Sequence, residues 1–309
     1  MNWFGKKAQR NEVIGVEFGA DGLAFAHIER PATQEPRLLH CEYLAIDPSV
    51  NAAELLRSRL VKLGISQVPC NLVLSTNLYQ LILGESPKVP AHELAEALRW
   101  RIKDLIQFPV ADAIIDAFPL PEEGARGGNR LSYAVVAQRS AITDLVSKAK
   151  SAHLELAAID IPELAIRNLA RTCCDTQRGV ALIQLTKGEG NLQIILDDKI
   201  YLLRHFLLPY AGGLRDEIPA EALVLELQRS LDYFERQMRQ TPPSQVFIYG
   251  QNITSEKITD EIRQGLGVAI DMLNLHSGLQ INGDIPEHTF SYCLSALGAA
   301  LRQDAVGVV

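Results

Sequence analysis

The strongest constraint in this sequence is a pattern used twice. Residues 13–28 read as two short strands with β-branched, apolar flanks. Between them, Gly19-Ala20-Asp21-Gly22 is turn chemistry, since glycine tolerates positive φ and aspartate bonds its own backbone. A third strand is expected over Arg37–Asp47. The second half opens the same way. Gly179–Leu185 reads as an apolar strand, Thr186–Asn191 as a turn and Leu192–Leu196 as a strand. Asp197-Asp198 then makes a tight turn into a strand over Ile200–Phe206. An internal repeat of this kind constrains the fold more than any single motif. A glycine-rich turn can aim successive N–H groups into one space, a concavity that attracts anions. An ordinary hairpin needs no ligand, and both readings stay open at this level.

Around the repeats, helices and strands alternate. Asn51–Leu63 predicts a helix, with Leu55, Leu56, Leu60 and Leu63 on one face and Gly64 as its stop. Asn71–Leu74 and Leu78–Leu83 read as strands. Ala91–Phe108 predicts an amphipathic helix with a stripe of Leu94, Leu98, Ile102, Leu105 and Ile106, ended by Phe108-Pro109. Ala113–Pro119 and Leu131–Gln138 read as paired strands around a polar tip, Glu122–Arg130. A helix over Ser140–Ala152, a strand over Leu156–Ile161 and a helix over Pro162–Ala170 follow. The polar run Arg171–Arg178 marks a domain boundary. Beyond the second repeat come a long helix over Ala220–Gln240 and a strand over Val246–Tyr249 leading into Gly250-Gln251-Asn252. A helix from Thr254 or Ser255 to Leu266, a strand over Val268–Leu273 and a small-residue helix over Phe290–Arg302 complete the chain.

At 309 residues the chain is long enough for about two domains. A net charge of −7 gives a nucleic-acid partner no electrostatic support. Cys41, Cys70, Cys173, Cys174 and Cys293 are odd in number and lack CxxC spacing, which points away from a disulfide framework and towards a reducing compartment. No apolar run approaches the ~20 residues of a membrane span, and no signal peptide is expected. Trp3 and Phe4 beside Lys6 and Lys7 suit either a frayed terminus or a docking segment.

The order of these pieces resembles the actin-like ATPase superfamily. Within it the chain resembles the PilM family of type IV pilus assembly proteins, above all those serving mannose-sensitive haemagglutinin (MSHA) pili. Ile14-Gly15-Val16-Glu17-Phe18-Gly19 stands where PilM proteins carry a Gly-Ile-Asp-Ile-Gly type strand. Residues 101–109 resemble a helix end reading Tyr-Ile-Pro-Phe-Pro, and residues 158–165 resemble Val-Val-Asp-Val-Glu-x-x-Ala. Residues 228–234 resemble an Arg-Ser-Leu-x-Phe-Tyr helix.

The resemblance implies an α/β, two-lobed actin-like ATPase (ribonuclease H-like duplicated) fold. Residues 1–170 would form the first lobe with an inserted PilM-type subdomain. Residues 171–309 would form the second, with helix 290–302 packing back on the first. It implies ATP with magnesium at Glu17, Gly19, Ala20, Asp21 and Gly22 on one side and at Lys187, Gly188 and Gly190 on the other. Gly212, Gly213, Arg215, Gly250, Gln251 and Asn252 would lie near the adenosine. It also implies a cytoplasmic scaffold, peripheral to the inner membrane, that grips the N-terminal segment of a PilN-like membrane protein and works beside a pilus assembly ATPase. The expected clamp uses Leu98, Ile102, Leu105, Phe108, Ile114 and Phe118, with the peptide added to a strand edge.

The chain departs from the pattern at its acids. Glu17 replaces the usual aspartate of the first strand, and Gln184 stands where the second turn usually carries one. Losing a metal-directing carboxylate removes orders of magnitude in rate, so a non-enzymatic scaffold is expected. The alternative is a metabolite kinase or slow ATPase of the same superfamily. Asp21 and Asp160 are the acids open to a catalytic role in that alternative, Asp21 otherwise serving the turn and Asp160 a strand end.

Overall fold

In the computed structural model, residues 11–47, 50–121, 130–283 and 285–303 are described. The Trp3–Lys7 segment and nearly all of the polar tip at 122–130 lie outside them. The chain divides into two compact units: residues 1–74, 145–169 and 278–309 form one, and residues 75–144 and 170–277 the other. The chain passes between them four times.

The first unit is built on one sheet. Its strands are β1 (Glu12–Phe18), β2 (Gly22–Glu29), β3 (Arg37–Ala45), β4 (Pro69–Val73), β8 (Glu155–Asp160) and the two-residue β14 (Gln280–Ile281), in the order β14-β3-β2-β1-β4-β8. The first three strands are antiparallel, while β4 and β8 run parallel to β1. Helix α1 (Ala52–Lys62) begins at Asn51, whose side chain accepts from the backbone N–H groups of Ala53 and Glu54. Helix α4 (Pro162–Cys173) follows β8 and runs across the crossing at residue 170.

The last helix, α7 (Glu287–Ala300), packs on β1 to β4. Its small residues allow the approach. A Cβ at Gly15 would collide with the Ala296 carbonyl, and one at Gly298 with the Ala165 carbonyl of α4. Two buried amides fix it further: Asn71 donates to the Ala299 carbonyl at 2.8 Å and Asn168 to the Gly298 carbonyl at 3.2 Å. These replace water for groups that would otherwise be stranded in the core.

The second unit repeats the sheet. Its strands are β9 (Val180–Thr186), β10 (Glu189–Leu196), β11 (Lys199–Leu207), β12 (Gln245–Tyr249) and β13 (Ala269–Met272), in the order β11-β10-β9-β12-β13. Again three antiparallel strands precede two parallel ones. Helix α5 (Ala220–Met238) buries Leu223, Leu227, Leu231, Phe234 and Met238 against this sheet's core.

Residues 75–144 carry a separate three-stranded sheet, β5 (Tyr79–Glu85), β6 (Ala113–Pro119) and β7 (Leu131–Gln138), in the order β5-β7-β6. Helix α2 (Leu94–Ile102) packs on β6. Helix α3 (Arg139–Ser151) leads out of β7 and across to the first unit.

Four expectations are corrected. Helix α2 ends at Ile102, six residues before Phe108, because the chain turns so that Ile106 and Phe108 join the small core. The turn expected over Thr186–Asn191 is only Lys187-Gly188, and its flanks extend the ladder. The polar run at 171–178 is partly helical, with residues 171–173 inside α4. The helix expected from 254 to 266 is a 3-10 turn over Ser255–Lys257 followed by the short α6 (Asp260–Gln264).

Candidate functional site

In the first unit the hairpin turn is closed on itself. The Gly19 N–H donates to the Gly22 carbonyl at 2.8 Å, so it is not offered to a ligand. Gly19, Ala20 and Asp21 are exposed, while Gly22 is buried under Tyr43 of β3. A Cβ at Gly22 would collide with the tyrosine ring. Tyr43 in turn stacks on Tyr292 of α7 at 4.3 Å between centroids.

Glu17 lies beside this turn, paired with Ala24 of β2 and Val73 of β4. Burial pushes its carboxyl up to about 7, against the opposing effect of a hydrogen bond with Ser295 of α7. A carboxyl in that state carries only part of its charge at neutral pH. Asp160 is also buried and its carboxyl raised, with the Arg302 guanidinium 3.5 Å away opposing the shift. It accepts the backbone N–H of Ile161 at 3.0 Å. It therefore anchors the β8–α4 connection to the chain after α7.

In the second unit three loops meet. Gly188, at φ +85°, donates its N–H to the Tyr210 carbonyl at 2.8 Å. Asn252 donates to the Gly212 carbonyl at 3.0 Å. Lys257 donates to the Gly213 carbonyl at 2.6 Å and to the Tyr210 hydroxyl at 3.0 Å. The Gly213 N–H donates to Asp216 at 2.7 Å. Lys187, Gly188, Gly212, Gly213, Gly250 and Asn252 are thus brought together, while Lys187, Arg215 and Gln251 are exposed. Lys257, Tyr210 and Asp216 were not singled out by sequence reading, because no short motif joins them. A Cβ at Gly190 would collide with Phe206 of β11, so this glycine makes room for an aromatic ring.

A magnesium nucleotide needs carboxylates for the metal and unspent donors for its phosphates. The side chains here do not fit it. Glu17 is half-buried with a raised carboxyl, Gln184 is neutral, and both turn glycines spend their N–H groups internally. Among the described residues no group of three His, Cys, Asp or Glu is placed to hold a metal.

The expected clamp residues fall on two faces. Leu98 and Ile102 are 2% and 3% exposed and, with Phe108 packed against them, belong to the small core between α2 and the sheet. Leu105 lies beyond α2 and is 62% exposed. Ile114 and Phe118 alternate with the core-facing Ala113, Ile115 and Ala117, so they sit on the sheet's opposite face. There Phe118 packs on Tyr133 at 5.5 Å, and the Tyr133 hydroxyl donates to the Leu203 carbonyl of β11 at 3.4 Å. No single groove contains the whole set.

No family model matches the chain, and no curated protein matches it in sequence. Its fold is matched among solved structures. A chain of a PilM–PilN type IV pilus biogenesis complex superposes with a TM-score of 0.66 and 19% identity, covering 94% of this chain and 97% of that one. A Bacteroides thetaiotaomicron protein with an actin-like ATPase fold gives 0.47 and 12%, covering 94% and 100%. The cytoplasmic domain of EpsL, an inner-membrane component of the Vibrio cholerae type II secretion system, gives 0.47 and 12%, covering 77% and 82%. The chain has the actin-like ATPase fold, with its sheet order used twice.

Proposed function

We propose that this protein is a scaffold of a type IV pilus assembly platform, of the MshI type that serves MSHA pili. It holds the cytoplasmic N-terminal segment of a PilN-like membrane protein. The observation that carries this reading is the insert at 75–144, which has its own core and an apolar sheet face bearing Ile114 and Phe118. The likeness to a chain of a PilM–PilN complex over 94% of the sequence supports it. In this reading residues 1–170 and 171–309 are the two lobes and 75–144 is the partner-binding subdomain. The bound segment continues the apolar face that carries Ile114 and Phe118, opposite the small core that holds Phe108. Among the described residues no helix is long and apolar enough to cross a membrane. In this reading the partner provides the attachment to the inner membrane from the cytoplasm.

Nucleotide binding is degenerate here, and the protein does not turn over ATP. The state of Glu17 and the neutral Gln184 support that half of the reading. A pilus assembly ATPase supplies the system's hydrolysis. The test is calorimetric titration of the intact protein with the N-terminal segment of the PilN-like protein, alongside an ADP-release assay. Micromolar or tighter binding with no ADP release is expected. A folded protein that ignores the peptide, or one that releases ADP steadily, overturns the reading.

A further inference from the structure

Backbone direction distinguishes the two outer edges of the small sheet. The Leu120 N–H donates to the Leu131 carbonyl, and the Ser86 N–H to the Arg130 carbonyl. Bonding direction alternates along a strand of an antiparallel ladder. On β5, therefore, Gln80, Ile82 and Gly84 bond β7, and Tyr79, Leu81, Leu83 and Glu85 point their backbone outward. On β6 the outward residues are Ala113, Ile115, Ala117 and Pro119.

The β6 edge is largely closed. The Ala113 N–H donates to the Val110 carbonyl, and its own carbonyl accepts from Arg99 at 3.4 Å. The Ala117 N–H is taken by the Asp116 carboxylate at 2.8 Å. Pro119 has no N–H to give. Such devices block strand addition. On β5, Leu81 and Leu83 are consecutive outward residues with no such block among the described residues, and the Leu83 side chain is 49% exposed. At the far end of this edge Arg101 donates to the outward Glu85 carbonyl at 3.2 Å, which places an exposed guanidinium in line with an incoming strand. Exposed Lys88 follows three residues later.

Resting on the scaffold reading above, we infer that the partner segment docks as an extra strand on the outer edge of β5, not on β6. The occupant is an extended peptide with apolar residues at alternate positions and an acidic residue near the Arg101 end. The Leu81 and Leu83 backbones supply two N–H and two C=O groups to it. Its alternate side chains extend the face formed by Leu81, Leu83, Tyr133 and Phe118. Arg101 and Lys88 meet its acid and fix its register.

The test uses the full protein and two probes: the PilN-like N-terminal segment, and a designed ten-residue peptide of alternating valine and threonine ending in aspartate. Leu83→Pro removes an outward N–H without breaking the β5–β7 ladder. It should weaken binding of the native segment at least tenfold, as should N-methylating that segment in one alternating register but not the other. Arg101→Glu should weaken it severalfold, with recovery when the peptide's acid is changed to lysine. Ala117→Pro on β6 should leave binding unchanged. Should Leu83→Pro fail to fold, the N-methylated peptides carry the test. Native binding indifferent to Leu83→Pro and to N-methylation overturns the β5 edge and leaves the scaffold reading standing. Binding of the designed peptide alone upholds the edge and overturns the pilus reading. Binding of neither overturns both. A wild-type dimer dissociated by Leu83→Pro makes a second copy the occupant and overturns the proposal.

Discussion

The two hairpins share a construction but are closed differently. In each, a glycine at the start of the middle strand lies under an aromatic from the third: Gly22 under Tyr43, Gly190 under Phe206. Phe206 is 5% exposed and belongs to the large core of its unit. Tyr43 is only half-buried and stacks on a neighbouring ring at the surface. The acids differ too. Glu17 is half-buried and hydrogen-bonded to Ser295 of α7, whereas its counterpart in the second hairpin is the neutral Gln184. Both glycines make room for an aromatic ring. The topology is duplicated while the side chains at the two turns differ.

The largest effect is expected at Gly190→Ala, which should lower stability by about 3 kcal/mol in urea unfolding, because Phe206 has no room to give. A cost well under 1 kcal/mol would mean the ring is not confined. Next comes Glu17. Its folded carboxyl is raised from 4.5 to about 7, so the folded state holds a proton that the unfolded chain releases. Stability should therefore fall as pH rises from 4.5 through 7, by roughly 2 kcal/mol. Glu17→Gln should flatten that slope, and a wild type without the slope would place Glu17 in water. Gly22→Ala should cost only about 1 kcal/mol, since Tyr43 can swing towards solvent. Parity with Gly190→Ala would erase the distinction between the hairpins. The smallest effect is expected from magnesium with ATP. Neither adding them nor chelating with EDTA should move the melting temperature, and a clear upward shift would restore a nucleotide to the site.

Much of the fold was legible because strand alternation and turn residues are local signals. The bounds of β6 and β7 agree with the spacing of their apolar residues and their flanking turns. Helix α2 was overread because Leu105 fits the helical period, yet the following turn lets Ile106 and Phe108 reach the core instead. The site was less legible. Nothing near Gly22 or Gly190 in sequence announces the ring that covers it, and Ser295 stands far along the chain from the Glu17 it bonds. The alternation of Ile114 and Phe118 with Ile115 and Ala117 was visible in the sequence. Which of those two faces α2 would cover depends on a crossing that no local pattern encodes.

Helix α7 has a consequence for how the protein is made. The face of the first sheet that it covers stays bare until residues 287–300 have left the ribosome, more than two hundred residues after β4. At ordinary elongation rates that wait is on the order of 20 s. During it, the face of β1 to β4 that α7 covers in the finished protein lacks its cover.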